Sequence, residues 1–536
     1  MVEGLYTNKQ CPIILLLAML YSNIYALQGS IAENGSNTQA LHAIGITGLG
    51  VNVGLISARN VRNTHQTFID ISGSHVFNYD YTGDGVNYSL GPIAGHDTWV
   101  AGIIAGRGWT GHTNDIGAAP GCDVYSARVL TDSCSISLDY IEDAFIDLIN
   151  EHDCRVFVLP LQLSGTADGS SNYSMMVDYF AYTNNVILAL ASGNEATSIT
   201  IFGDAHNGIT TAALIDEPNG FYLKVGSKSN PGPTVDGRRK PEISSPGSSQ
   251  ITPSIGSDTS FYTTAKDGAT SFAIPQTAGV AALLLQYADQ TPDADDGRNV
   301  VIKAAIVNSA FPNIKNKTGN PTYPANPANV WHSQRGYGRI DAFRAYQILS
   351  TPRVSKGSTV ITSVKGWAYD SMDSGATHSY LIAGEKNERL ILTVTWNRLV
   401  NKGKFTYNVD SPLFELDLVV KNSANETIFY KEGDLNNLEK IDLILPADGN
   451  YTVSLINTTS KTRAYGLAFE ILEPLTGDFN LDYIVNKKDL GRLALDWLSD
   501  DGELETNIFA DEIINNKDFG IFAEYWMQTD GRYYNP

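Results

Sequence analysis

Between Ile46 and Ala191, short continuous apolar runs at residues 51–56, 100–105, 124–130, 156–161 and 186–191 alternate with segments of helical spacing. Residues 137–151 carry Leu138, Ile141, Ala144, Phe145, Leu148 and Ile149 at near-helical intervals and lead straight into the run at 156–161. A run that is apolar at every position suits a strand buried on both faces, and strands joined through helices pair in parallel. The expected fold of residues 27–350 is therefore α/β, with a parallel sheet covered by helices.

Beyond Leu349 the texture changes to alternating apolar and polar segments, at residues 390–396, 414–420 and 451–455, with Asp448-Gly449 as a turn signal before the last. This predicts an antiparallel β-sandwich over 356–472. Helical apolar patterns return around 490–497 and 519–526, each after a loop rich in Asp and Asn, so 475–530 reads as a duplicated loop-helix unit. At 536 residues the chain exceeds one ordinary core, in line with several domains. Its 43% hydrophobic and 18% charged residues exclude a disordered chain.

At the N-terminus, Lys9 precedes the apolar stretch 12–20, and a polar segment ends in Tyr25-Ala26. The stretch is too short to span a bilayer and reads as a signal peptide over 1–26, which predicts secretion or an extracellular surface. A net charge of −21 argues against nucleic acid and anionic membrane as partners, because both attract chiefly Lys and Arg. Outside that leader only Cys122, Cys134 and Cys154 remain, which allow one disulfide at most and suggest no zinc site.

A serine hydroxyl is a weak nucleophile near neutral pH; it needs a base within hydrogen-bond reach and a donor for the developing oxyanion. Three segments offer such groups in order. Gly95-His-Asp-Thr-Trp-Val-Ala-Gly102 has a histidine entering an apolar helix, Ala189-Leu-Ala-Ser-Gly-Asn-Glu195 ends a buried strand with an amide, and Gly268-Ala-Thr-Ser-Phe-Ala-Ile-Pro-Gln-Thr-Ala-Gly279 places a serine at a helix start. Each is weak alone, since Asn after Gly is commonly a turn residue and Ser271 could serve only as a helix cap.

Together these segments resemble the signature blocks of the subtilisin-like (subtilase) serine peptidases, HGTHVAG, SGN or AGN, and GTSMAAPHVAG. Further blocks match in the same order, at residues 117–121, 236–247, 302–306 and 336–342. The resemblance covers roughly 300 residues. It implies a subtilisin-like fold, a protein or peptide substrate, His96 as general base, Ser271 as nucleophile and Asn194 as oxyanion donor.

The family's first block, VAVIDTGI, ends its strand with an aspartate that orients the histidine. Here the aligned stretch is Val51-Asn-Val-Gly-Leu-Ile-Ser-Ala-Arg59, and Ser57 takes that position. Loss of this carboxylate costs about 10⁴ in turnover, or roughly 5–6 kcal/mol, a magnitude taken from the family's own type enzyme. Asp97 and Asp70 are the nearest carboxylates in sequence. Trp99 replaces the second His of HGTHVAG, Gln276 replaces the His of the serine block, and Pro160 interrupts the stretch expected to pair with substrate, removing a backbone donor. The interval after Ala26 is also short for the family's folding propeptide. Two readings follow: a secreted serine endopeptidase with an incomplete triad, or an inactive pseudoprotease that binds peptides or surfaces.

In the C-terminal pair, Asp478, Asn480, Asp482, Asn486 and Asp489 fall at positions 1, 3, 5, 9 and 12 of a loop whose position 7 carbonyl comes from Ile484, spacing suited to calcium. The second copy, 507–518, has Asn507 at position 1 and Phe509 at position 3, so its binding is expected to be weaker or absent. The pattern resembles dockerin repeats, which implies a small all-α module, structural calcium and a cohesin-like docking partner.

Overall fold

The computed structural model describes residues 27–526 apart from 90, 92–93, 218–219, 323–329, 358, 405, 411–415, 434, 480–484, 486, 500–505, 507 and 510–512. The leader 1–26 lies outside the described residues. No helix among the described residues is long and apolar enough to cross a membrane.

The N-terminal unit is built on strands β1 (Asn52–Ser57), β2 (Val76–Asp80), β3 (Asp123–Arg128), β4 (Cys154–Leu159), β5 (Ile187–Ala191), β6 (Ile209–Asp216), β7 (Tyr222–Val225) and β8 (Ile243–Pro246). They form one sheet in the order β7-β6-β5-β4-β1-β3-β2, with β8 also on β6. All pairings are parallel except that of β6 with β7. In β1 every residue from Val53 to Ser57 is buried. Its alternate side chains enter different layers: Val53 and Leu55 join one core, Ile56 the other.

Helices supply both layers. Before the sheet runs α1 (Leu27–Ile31); α2 (His96–Ala105), α5 (Thr270–Ala288) and α6 (Asn299–Asn308) contribute to the first core, and α3 (Leu138–Asn150) and α4 (Asn172–Asn184) to the second. The α3 spacing read from the sequence holds: Ile141, Ala144, Phe145 and Leu148 are buried, and Ser137 caps the helix by accepting the Asp139 N–H. The apolar run at 100–105 belongs to α2 rather than to a strand. Pro160 lies just past the end of β4.

The sandwich consists of β9 (Lys365–Met372), β10 (Thr377–Gly384), β11 (Arg389–Trp396), β12 (Leu416–Lys421), β13 (Thr427–Lys431), β14 (Leu438–Ile444), β15 (Gly449–Asn457) and β16 (Arg463–Leu472). Two antiparallel sheets, β9-β16-β11-β14 and β10-β15-β12-β13, enclose their own core. Strand β15 shows the expected alternation, with Tyr451, Val453 and Leu455 buried between half-buried neighbours. Strand β11 is instead buried throughout. Its outer face lies on α6: Thr393 Oγ1 donates to Asn308 Oδ1 at 3.0 Å and Thr395 Oγ1 to the Val300 carbonyl at 2.6 Å. Gly466 of β16 makes this approach possible, since a Cβ there would come within 2.5 Å of the Val300 backbone. Lys440 Nζ donates to the Val307 and Asn308 carbonyls at the C-terminal end of α6, where a cation is favoured.

At the C-terminus, α7 (Lys487–Leu495) and α8 (Asn516–Glu524) share a small core of Val485, Leu493, Ile514 and Phe522. Cys122, Cys134 and Cys154 are free thiols, and burial pushes the first up to about 12 and the last higher still.

Candidate active site

The site lies where α2 and α5 begin beside the end of β1. Gly95 turns the chain into α2 with φ +84°, a conformation that favours glycine, and places His96 in the first turn. The imidazole is partly exposed, and its ring sits 6.0 Å, centre to centre, from Phe272, the neighbour of Ser271. Ser271 is half-buried in the first turn of α5. It is not the cap of that helix: Ala269 holds the cap position, without a side-chain bond.

Asn194 follows the end of β5. Its Oδ1 accepts the Thr270 N–H at 2.7 Å and the Thr270 hydroxyl at 3.0 Å. These two donors fix the amide, turn its NH₂ away from Thr270, and tie the loop after β5 to the residue before Ser271. The loop itself is braced by Asn230 Oδ1, which accepts the N–H groups of Glu195 and Thr197 at 2.8 and 3.3 Å. The structure thus brings together His96, Asn194 and the residues flanking Ser271.

Ser57, at the strand end, is fully buried and uncharged, and it contacts a carboxylate. Its hydroxyl donates to Oδ1 of Asp97, which is only 1% exposed. The same oxygen lies 2.9 Å from His96 Nδ1, and the Arg59 N–H donates to Oδ2 at 2.6 Å. A carboxylate removed from water is tolerated when hydrogen bonds satisfy it. Asp70 is excluded as the partner: it sits in a surface hairpin, where its carboxylate meets His75 Nε2 at 2.7 Å.

The other departures have local explanations. Trp99 stacks on Tyr262 at 3.9 Å and lines an apolar cluster with Phe272, Ile103 and Leu27. Gln276 binds the segment that carries α1, donating to Ser30 Oγ and accepting from Ser36 Oγ, both at 2.8 Å. The Leu27 N–H donates to Asp115 Oδ1 at 2.8 Å, while His112 Nδ1 lies 2.8 Å from the other oxygen. Burial pushes the Asp115 carboxyl above its ordinary value, against the pull of these partners. The replaced histidines have thus become anchors for an N-terminal segment packed beside the site, a role that local patterning did not reveal.

Of the calcium-loop residues, Asn480, Asp482, Ile484 and Asn486 lie outside the described residues. Asp478 and Asp489, the two ends of the loop, are both buried carboxylates, which fits oxygen ligation of a cation. In the second copy the Asp518 oxygens accept the N–H groups of Phe509 and Asn515 at 2.9 and 2.8 Å, the latter as part of a capping box on α8. Among the described residues no group of three His, Cys, Asp or Glu side chains is placed to hold a metal.

Comparison with known proteins places the chain in a family. Residues 28–338 match the family model described as Subtilase family, Peptidase_S8. The chain is 28% identical over 365 residues to pyrolysin of Pyrococcus furiosus, covering 58% of this chain and 24% of that protein. It is 27% identical over 317 residues to serine protease AprX of Bacillus subtilis, covering 54% of this chain and 67% of that one. The chain therefore spans about a quarter of the first of these relatives and two thirds of the second. Among solved structures, the prenylagaramide maturation protease PagA aligns with a TM-score of 0.43 at 20% identity, over 58% of this chain and 98% of that one. The family match takes in more than half of the sequence, including β1, His96, Asn194 and Ser271, and the chain belongs to the subtilase family of serine peptidases.

Proposed function

We propose that the protein is a secreted serine endopeptidase in which Ser271, His96 and Asn194 carry the reaction. Ser271 Oγ attacks the peptide carbonyl while its proton passes to His96 Nε2, and the Asn194 NH₂ donates to the tetrahedral oxyanion. The proton on Nε2 then moves to the leaving amine, and water, deprotonated by the same nitrogen, hydrolyses the acyl-enzyme. The observation that supports this reading is the pair of bonds from Thr270 to Asn194 Oδ1, which ties the amide to the residue before Ser271 and leaves its NH₂ pointing away from Thr270. Treatment of the full chain with a fluorophosphonate probe tests it. Covalent labelling in the wild type and none in Ser271→Ala is expected, and absence of Ser271-dependent labelling at any pH overturns it.

The uncharged Ser57 favours a second reading, an inactive pseudoprotease that binds peptides or surfaces. Robust proteolysis that disappears in Ser271→Ala eliminates it. For the C-terminal pair we infer structural calcium in the first loop and docking to a cohesin-like partner. The buried carboxylates of Asp478 and Asp489 support the calcium site. Calorimetric titration of the full chain with calcium, against Asp489→Ala, tests that site, and absence of calcium-dependent heat in the wild type rejects it.

A further inference from the structure

We propose that Asp97 is the positioning carboxylate of this active site, relocated from the strand end to the helix, with Ser57 as its anchor. The inference rests on the serine peptidase reading and assigns the orienting role that Ser57 cannot fill. Three contacts converge: Asp97 Oδ1 faces His96 Nδ1 at 2.9 Å and accepts the Ser57 hydroxyl, and Oδ2 accepts the Arg59 N–H at 2.6 Å. Two of these donors belong to the end of β1 and the turn after it. The carboxylate is therefore held at the strand end, where the family's aspartate belongs, although it issues from the residue after the histidine.

An acidic residue in the first turn of a helix has an ordinary use, favourable interaction with the helix dipole. Asp97 goes beyond that use: it is buried, and its oxygens meet groups outside α2. With Oδ1 accepting Nδ1–H, the neutral imidazole carries its lone pair on Nε2, the nitrogen that must take the serine proton. When Nε2 is protonated, the adjacent carboxylate stabilises the imidazolium and itself remains ionised. Ser57 contributes a hydroxyl small enough to leave room for the carboxylate.

The arrangement reverses a simple expectation about repair. Ser57→Asp restores the family's residue but sets a second carboxylate against Asp97 in a fully buried place, where like charges raise each other's pKa. The test uses the full chain and compares wild type, Asp97→Asn, Ser57→Asp and the double variant Ser57→Asp, Asp97→Gly on a peptide substrate. Asp97→Asn should lose about 10³–10⁴ in kcat with KM little changed, because an amide NH₂ facing Nδ1 favours the wrong tautomer. Ser57→Asp alone should lower activity, and the double variant should recover at least about a hundredfold over Asp97→Asn, since it returns one carboxylate to the strand end. Independently of turnover, ring-nitrogen NMR of neutral His96 in Ser271→Ala should show the proton on Nδ1, and that preference should be lost once Asp97→Asn is added.

Retention of more than about a tenth of wild-type kcat in Asp97→Asn, or a gain of tenfold or more in Ser57→Asp alone, overturns the relocation. Fluorophosphonate labelling distinguishes the two levels of failure. Wild type that labels at Ser271, with Asp97→Asn labelling equally fast, overturns only the relocation. Wild type that does not label overturns the peptidase reading, and the relocation with it.

Discussion

Two of the histidines that stand beside a buried aspartate, His96 and His206, differ in water access and in the charge around the ring. His96 meets Asp97 through Nδ1, its ring is partly exposed, and its carboxylate is satisfied by a hydroxyl and a backbone N–H. His206 lies 3.5 Å from Asp178 Oδ2, is 6% exposed, and accepts a bond from the Arg398 guanidinium on Nδ1 at 2.8 Å. Arg398 Nη1 also approaches Asp178 Oδ2 at 3.6 Å, so the carboxylate near His206 is shared with a guanidinium. Burial and then Arg238 hold the His206 imidazole down to about 3, despite the aspartate. A neighbouring carboxylate therefore does not by itself make a base; water access and the rest of the charge around the ring decide.

Truncating the rings breaks or sharpens this comparison most directly. His96→Ala should cost about 10⁶ in kcat while leaving the thermal midpoint nearly unchanged, whereas His206→Ala should leave turnover within a few-fold and lower the midpoint. Comparable losses of turnover in both would erase the distinction. Removing the carboxylates gives the second largest contrast. Asp178→Ala leaves Arg398 and its neighbours without their buried anion and should destabilise by about 3–5 kcal/mol in urea unfolding, with no specific effect on the pH–rate profile. The Asp97 variants described above should do the opposite. Third, Asn194→Ala removes the oxyanion donor without touching either histidine and should lower kcat by about 10²–10³, or roughly 3–4 kcal/mol, with the acid limb of the kcat/KM profile unmoved. A displaced limb would mean that the amide acts through His96.

The smallest expected effect is on stability against pH. The folded protein keeps His206 neutral to about 3, and burial and then Arg335 bring His332 down to about 4. In the unfolded chain both titrate near 6.5. Their contribution is therefore fully present above about pH 6.5 and is lost as pH falls through the window below it, because only the unfolded chain takes up the protons; the slope is at most about 1.4 kcal/mol per pH unit for the buried His206 and smaller for the partly exposed, solvent-screened His332. Urea midpoints at pH 7.5 and 5 check this. The fall should shrink in His206→Gln, and an unchanged fall would show that this ring is not held neutral.

The β-sandwich also takes part in the contrast. Arg398 follows β11, so the His206 site is closed by the second domain, and Asn207 Nδ2 donates to the Arg398 carbonyl at 2.9 Å. The alternation of β15 announced a sandwich because one of its faces meets partial exposure. Strand β11 hid its second role: Thr393 and Thr395 look like solvent-facing positions, yet both bind α6. A hydroxyl suits water and a buried acceptor equally, so its residue type cannot distinguish the two. Gln276 and Trp99 pose the same difficulty, since they depart from the family pattern and find partners only in α1 and its surroundings.

By itself the sequence determined the sheet, its covering helices and membership of the subtilase family, and it singled out His96, Ser271 and Asn194 as candidates for base, nucleophile and oxyanion donor. Hydrophobic period, caps and signature blocks are short-range, and each can be read within a dozen residues. The tertiary structure decided the partner of His96. Asp97 and Asp70 were both nearby along the chain and equally charged, but only Asp97 is carried by α2 to the end of β1, where Ser57 and Arg59 supply donors and water is excluded. Whether a carboxylate can orient a ring depends on groups some forty residues away, and that distance closes only when the strand and the helix pack.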